Sequence, residues 1–358
     1  MWAVYLLLSA GLFMGWSLGT NDAANAFGTA VGSRVIKYRT AVIVISVMVL
    51  IGAILLGDGN IDKLSSIAIN NKVSASPDEV NTAIAGGDAA LATLRLKSAL
   101  KAAIIFGCAA TVVFVMSYLK FPVSANQSVT GAVIGWGLCY ADYSDPNVSS
   151  ENIKEILEFL STWLINPLGA AAISFVLVWL TKRFLEKRLT SMKNYDMVIK
   201  VGYLCAGAFS AFSIGQNSSA SVTAFYYDAT GQGANLLTSA KLTAIIGGLA
   251  IVLGVVTFSR RVMETVGGEI AQISQIDGFV VILSSALTVV LMGNLMGIPV
   301  STSQSVVGAV IGAGLVNNYK KVHYGVLKNV GIAWVSSPTA AALLAYLVAI
   351  ATKGYFGA

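Results

Sequence analysis

The sequence predicts an all-α integral membrane protein made of two inverted-topology repeats of about five membrane segments each, with broken or re-entrant helices at two polar motifs. Three observations lead there. The 358 residues are 56% apolar and only 11% charged, against about 25% charged in a soluble domain. So few charges cannot cover a globular surface, and the chain needs lipid around it. Lys and Arg alternate in density along the chain as they do in membrane proteins. The chain also matches itself: Pro122-Val-Ser-Ala-Asn-Gln-Ser-Val-Thr-Gly-Ala-Val-Ile-Gly-Trp-Gly-Leu138 pairs with Pro299-Val-Ser-Thr-Ser-Gln-Ser-Val-Val-Gly-Ala-Val-Ile-Gly-Ala-Gly-Leu315, with 13 of 17 positions identical.

Crossing a bilayer takes about 20 mostly apolar residues. Such stretches run at roughly 2–32, 40–57, 98–119, 121–140, 159–180, 200–227, 239–258, 278–297, 298–316 and 330–352. The first has no basic residue before it, so it reads as a retained span rather than a signal peptide. The first and sixth carry polar residues near their middles, which predicts interruptions. The fourth and ninth open on Pro-Val-Ser, which predicts re-entrant or broken helices starting at Pro122 and Pro299, with Ser124 and Ser301 as caps.

Basic residues set the direction. With the N-terminus outside and strict alternation, 15 Lys and Arg fall inside and 8 outside, while 11 acids fall outside and 5 inside. This predicts a multi-pass cell-membrane protein with both termini outside and the basic loop 181–200 in the cytoplasm. That loop divides the chain into an N-terminal repeat, 1–190, and a C-terminal repeat, 191–358. Five spans is an odd number, so the second half enters the membrane inverted. The outer loop 58–97 is acid-rich, and a helical pattern begins near Asp88.

The net charge of +6 lies in short clusters between spans, which excludes a nucleic-acid surface. Cys108, Cys139 and Cys205 lack metal-ligand spacing and read as buried small hydrophobes. Gly11, Gly15, Gly19, Gly131, Gly135, Gly308 and Gly312 have helix-packing spacing, compatible with internal contacts or a homodimer. The aromatics near span ends (Trp2, Tyr5, Trp163, Trp179, Tyr203) read as interface anchors. His323, the sole histidine, lies in a basic loop, and Asp22 has no His partner in its span. An intramembrane hydrolase is therefore not expected, and the chain is not an enzyme on this reading.

The sharpest residue is Asp22, because an acid at membrane depth is costly and marks a functional site by default. Asn21 and Asn25 flank it. A weaker repeat pairs Ser17-Leu-Gly-Thr-Asn-Asp-Ala-Ala-Asn25 with Ser213-Ile-Gly-Gln-Asn-Ser-Ser-Ala-Ser221. Inverted repeats are the usual build of secondary transporters, with the site at the repeat interface. Asn, Asp, Gln and Ser oxygens are hard ligands that suit Na⁺, and broken-helix N-termini suit an anion.

Gly19-Thr-Asn-Asp-Ala-Ala-Asn25 resembles the Gly-Ala-Asn-Asp-Val-Ala-Asn signature of the inorganic phosphate transporter (PiT) family. The Pro-Val-Ser…Gln-Ser blocks are similar to that family's second motif. The resemblance implies cation-coupled import of inorganic phosphate, with Na⁺ in many members and H⁺ in others, and some relatives move sulfate. The second half departs from the pattern: Asn217-Ser218 stands where the family repeats Asn-Asp, so one carboxylate is expected rather than two. The expected substrate residues are Asp22, Ser128, Thr130, Ser218 and Ser305. The expected cation ligands are Asn21, Asp22, Asn25, Gln127, Asn217 and Gln304. Phosphate keeps a proton at neutral pH and can donate it in a hydrogen bond to an acceptor such as Asp22, whereas sulfate has none to give. The lipid bilayer is the remaining partner, and nucleic acid is not one.

Overall fold

The computed structural model describes residues 2–71, 73–119, 123–140, 146–228, 237–269, 274–296, 299–317 and 324–356. Lys120, Phe121, Pro122, Ile298, Lys320, Lys321 and His323 lie outside the described residues. Among the described residues there is no sheet, only an isolated bridge between Tyr227 and Leu237. The rest is helical, as a chain must be where lipid leaves backbone polar groups no water to bond. Seven helices among the described residues are long and apolar enough to cross a membrane. This is a multi-pass membrane protein.

The N-terminal half contributes α1 (Trp2–Gly32), α2 (Tyr38–Leu56), α3 (Gly59–Asn70), α4 (Pro77–Ala85), α5 (Asp88–Tyr118), α6 (Ala125–Tyr140) and α7 (Pro146–Leu180). The C-terminal half contributes α8 (Met192–Ser218), α9 (Ala220–Thr223), α10 (Ala240–Glu269), α11 (Gln275–Met296), α12 (Thr302–Asn317) and α13 (Tyr324–Phe356). Each of the ten expected stretches contains a helix among the described residues, and seven helices are long and apolar enough to cross a membrane. The expected break at Asn21-Asp22 does not form: α1 continues through the motif. Its polar side chains find donors and acceptors on neighbouring elements, so the backbone need not open to satisfy them. In the second copy α8 gives way to α9 at Ser219, where the backbone stays helical with φ of −60° and ψ of −38°.

Helices α6 and α12 have 16 residues each. At 1.5 Å per residue each is about 24 Å long, short of the ~30 Å apolar core. Each is capped as expected. Ser124 Oγ accepts the Gln127 N–H at 3.3 Å, and Ser301 Oγ accepts the Gln304 N–H at 3.2 Å.

The halves exchange partners. Helix α1 packs on α10 while α8 packs on α2, and α6 packs on α13 while α12 packs on α7. The glycines make this pairing close. A Cβ on Gly19 would lie 2.0 Å from the Ile251 carbonyl oxygen, and one on Gly215 would lie 2.0 Å from that of Val49. A Cβ on Gly131 or Gly135 would strike the carbonyls of Pro338 or Ala342, and one on Gly308 or Gly312 those of Pro167 or Ala171. These glycines serve packing, as their spacing suggested, and they are used up by contacts inside the chain. Pro167 and Pro338 each sit within a helix, at matching places in the two halves.

Loop 58–97 is largely helical. Ser76 and Glu79 form a capping box at the start of α4, and Gly87, with φ of 87°, turns the chain into α5 at Asp88. Ser65 Oγ donates to the Ala224 carbonyl at 2.9 Å, which pins α3 beside the end of α8. Of the cysteines only Cys108 is buried. Cys205 is exposed, beside Val201 and Leu204 on an apolar face of α8. The expected burial fails there because a membrane helix needs no protein cover for an apolar side chain.

Candidate functional site

The site lies where the first span of each half meets the two Pro-Val-Ser segments. Unwound backbone at membrane depth must be sheltered and paired, and asparagines do that work. Asn21 Nδ2 donates to the Val123 carbonyl at 3.0 Å. Asn217 Nδ2 donates to the Val300 carbonyl at 2.8 Å, and its Oδ1 accepts the Val300 N–H at 2.9 Å. A second pair of bonds crosses between the halves. Asn126 Nδ2 donates to Val300 at 2.8 Å, and Ser303 Oγ donates to Val123 at 3.1 Å. Each valine carbonyl thus takes one donor from its own half and one from the other. The residues matched by the internal repeat occupy matched places in space.

Two niches result, and they differ in charge. In the first, Asp22 is 3% exposed. Its Oδ1 accepts from Asn21 Nδ2 at 3.3 Å and Asn25 Nδ2 at 3.2 Å, and its Oδ2 accepts from Thr302 Oγ1 at 2.9 Å. Asn25 Nδ2 also lies 3.3 Å from Thr302 Oγ1 and 3.2 Å from Ser303 Oγ. Every one of these donors is neutral, so the carboxylate's formal charge is solvated but not cancelled. In the second niche Ser218 stands in place of Asp22. Its Oγ lies 3.4 Å from Asn217 Nδ2 and 3.5 Å from Asn126 Nδ2. Ser221, also buried, stands in place of Asn25.

Buried polar atoms without partners gather at the starts of α6 and α12. They are both amide atoms of Gln127, Oδ1 of Asn126 and Oε1 of Gln304. Gln216 Oε1 is a further one on α8, though its Nε2 donates to Asn294 at 2.6 Å. Leaving such an atom unpaired costs about 1–3 kcal/mol each, so a ligand that pairs them gains that back. The first backbone N–H groups of both helices have no carbonyl of their own helix to bond, which favours an anion there.

The structure brings Asn21, Asp22, Asn25, Gln127, Asn217, Ser218 and Gln304 to this crossing. Ser128, Thr130 and Ser305 are buried at its edge, and each donates back within its own helix. Ser128 Oγ bonds the Ser124 carbonyl, Thr130 Oγ1 that of Asn126, and Ser305 Oγ that of Ser301, at 3.1 Å each. Ser305 also reaches Asn166 Oδ1 at 2.9 Å, and Asn166 Nδ2 holds the Ser301 carbonyl at 2.8 Å. Sequence reasoning missed Asn126, Asn166, Thr302 and Ser303. It leaned on positions identical between the repeats, and 125/302 and 126/303 are two of the four places where the motif copies differ. Asn166 had only one signal, an amide directly before a mid-span proline.

Likeness to known proteins runs along most of the chain. The profile of the Phosphate transporter family matches residues 18–345. A protein of Pyrococcus furiosus named "Putative phosphate permease" is 26% identical over 94% of this chain and 93% of its own length. One of Methanocaldococcus jannaschii with the same name is 27% identical over 97% of both. The sulfate permease CysP of Bacillus subtilis is 28% identical over 94% of this chain and 84% of its own. Among solved structures, one titled "The sodium-dependent phosphate transporter" aligns with a TM-score of 0.74 over 99% of both chains, at 22% identity, a likeness of fold. With nine-tenths of its length under that profile and both polar motifs folded into one buried crossing, the chain belongs to the phosphate transporter family.

Proposed function

We propose that the chain is a secondary transporter that imports inorganic phosphate by alternating access, coupled to Na⁺. The observation that carries this reading is a buried carboxylate with only neutral partners, set beside buried amides whose atoms lack partners. A doubly charged oxyanion next to Asp22 in a low-dielectric site is unfavourable unless positive charge lies between them. No Lys or Arg stands within the central spans to supply it, so a mobile cation must. The cation sits at the Asp22 niche, among oxygens of Asp22, Asn21 and Asn25, with Gln127 from the same half and Asn217 and Gln304 from the other completing the set. The anion sits against Ser218 and the first turns of α6 and α12, which Ser128, Thr130 and Ser305 hold in shape.

In this reading residues 1–190 and 191–358 are the inverted halves, both termini are outside, and loop 181–200 faces the cytoplasm. Phosphate is supported by the family and by the names of the relatives. Sulfate is the second reading, favoured by the Bacillus relative's name. The deciding experiment is uptake of labelled phosphate and labelled sulfate into proteoliposomes under a Na⁺ gradient. Saturable phosphate uptake that collapses when Na⁺ is replaced by choline is the expected result. Phosphate uptake indifferent to Na⁺ would sink the sodium coupling, and uptake of sulfate alone would replace the substrate.

A further inference from the structure

The two niches are built alike but are not equally satisfied. Asp22 already holds three neutral donors on its two oxygens, which fills most of the roughly four acceptor positions of a carboxylate. Beside Ser218 the case is reversed. Asn126 is 6% exposed, and its Oδ1 accepts nothing. Asn126 cannot relieve this by turning its amide over. Its Nδ2 is anchored on the Val300 carbonyl at 2.8 Å, and a flip would set two carbonyl oxygens face to face. The Oδ1 is therefore a fixed, buried acceptor.

What this acceptor lacks is a donor. Asn126 Nδ2 gives its own hydrogens to Val300 and Ser218, and the first backbone N–H groups of α6 have no carbonyl of their own helix to bond. Ser218 Oγ accepts two long bonds from amides and keeps its own hydrogen to give. Such a donor-rich setting attracts an oxyanion and is poor for a cation. One fixed acceptor among donors matches an oxyanion that carries one hydrogen. We infer that Asn126 Oδ1 reads the proton of a hydrogen-bearing tetrahedral oxyanion and so sets the preference for phosphate over sulfate. This moves the discriminating acceptor from Asp22 to the carboxylate-free niche, and it rests on the proposal that an oxyanion is carried at this site. The matching residue of the other copy is Ser303, whose hydroxyl is spent on Val123, so the device exists on one side only. A site built around one hydrogen bond rejects an analogue that cannot make it far more strongly than a pocket rejects a change of shape.

The test uses the whole protein in proteoliposomes under a Na⁺ gradient. Labelled phosphate uptake is inhibited by unlabelled phosphate, by sulfate, and by monofluorophosphate, a phosphorus-centred dianion without a proton at neutral pH. In the wild type both proton-free competitors are expected to be at least about tenfold weaker than phosphate. Asn126→Leu and Asn126→Ser should narrow that gap by about tenfold, through weaker phosphate binding, with the Na⁺ half-saturation at saturating phosphate unchanged. The inference is overturned if the wild type shows no gap, if the gap survives both variants, or if the variants shift that Na⁺ half-saturation instead. Asn126→Ser introduces the residue type the other copy already carries. If Asn126→Leu does not fold, that variant and the wild-type comparison still decide. Wild type that moves neither oxyanion overturns the transport reading and this inference with it. Wild type that moves phosphate and sulfate equally leaves transport standing and removes the inference alone.

Discussion

Asp22 is the residue on which the proposed coupling turns. Asparagine there keeps an acceptor for Thr302 Oγ1, now 2.9 Å away, but carries no charge. Asp22→Asn should therefore fold, with a melting temperature near the wild type, and lose gradient-coupled uptake by at least about tenfold. Initial rates with and without a Na⁺ gradient check it, and full coupled transport in the variant would remove Asp22 from the mechanism. Asn217 has a different task, since both ends of its amide are taken by Val300. Asn217→Leu leaves the Val300 N–H unpaired at membrane depth while Asn126 still holds the carbonyl. A loss of about 1–3 kcal/mol of stability follows, read as a lower unfolding temperature in detergent. Asp22 was legible from the sequence because a charge in an apolar run is conspicuous. Asn126, Thr302 and Ser303 were not, because a polar residue within a polar motif gives no sign of which half it will face.

At the scale of elements, the helix pairs depend on absent side chains. Gly135 lies against the Ala342 carbonyl and Gly312 against that of Ala171, where a Cβ would stand 2.0 Å and 2.1 Å from oxygen. Substituting valine at either should force its pair apart and cost about 1–3 kcal/mol or more. Gly107 has nothing within 4 Å of its Cβ position, so Gly107→Ala should be neutral or slightly stabilising, since alanine is the better helix former. Thermal unfolding of the three variants in one detergent separates these outcomes. Length and apolar composition located a helix in each of the ten stretches, and the serine caps were legible from Pro-Val-Ser alone. The continuity of α1 was not. Polar residues in mid-span signal a break only if no neighbour can bond them, and Val123, Thr302 and Ser303, which can, come from more than 100 residues away.

For the whole molecule, a cation and an anion that share one low-dielectric crossing must raise each other's affinity by the same factor. Phosphate binding measured by calorimetry at low and high Na⁺, and Na⁺ binding at low and high phosphate, should give equal ratios. Independent effects would dissolve the shared site. The proposed orientation has its own check. On a cysteine-free background, Asp88→Cys should react with an impermeant thiol reagent from outside the cell and Lys193→Cys only after the membrane is opened, and the opposite pattern would invert the topology.

The sequence by itself determined that this chain lives in lipid, that it has ten helical segments in two related halves, and that one half carries a carboxylate the other lacks. Those properties follow from composition, length and repetition, which are local or self-referential. Only the tertiary structure decided which half meets which. The repeats exchange partners, so Asp22 of the first motif is completed by Thr302 of the last, and Ser218 of the second half by Asn126 of the first. Two like halves become two unlike niches, one with a carboxylate that already holds three donors, the other without a carboxylate and with the Asn126 Oδ1 acceptor unfilled. The physical reason is that hydrogen bonds across a repeat interface depend on three-dimensional pairing, to which a sequence laid against itself is blind.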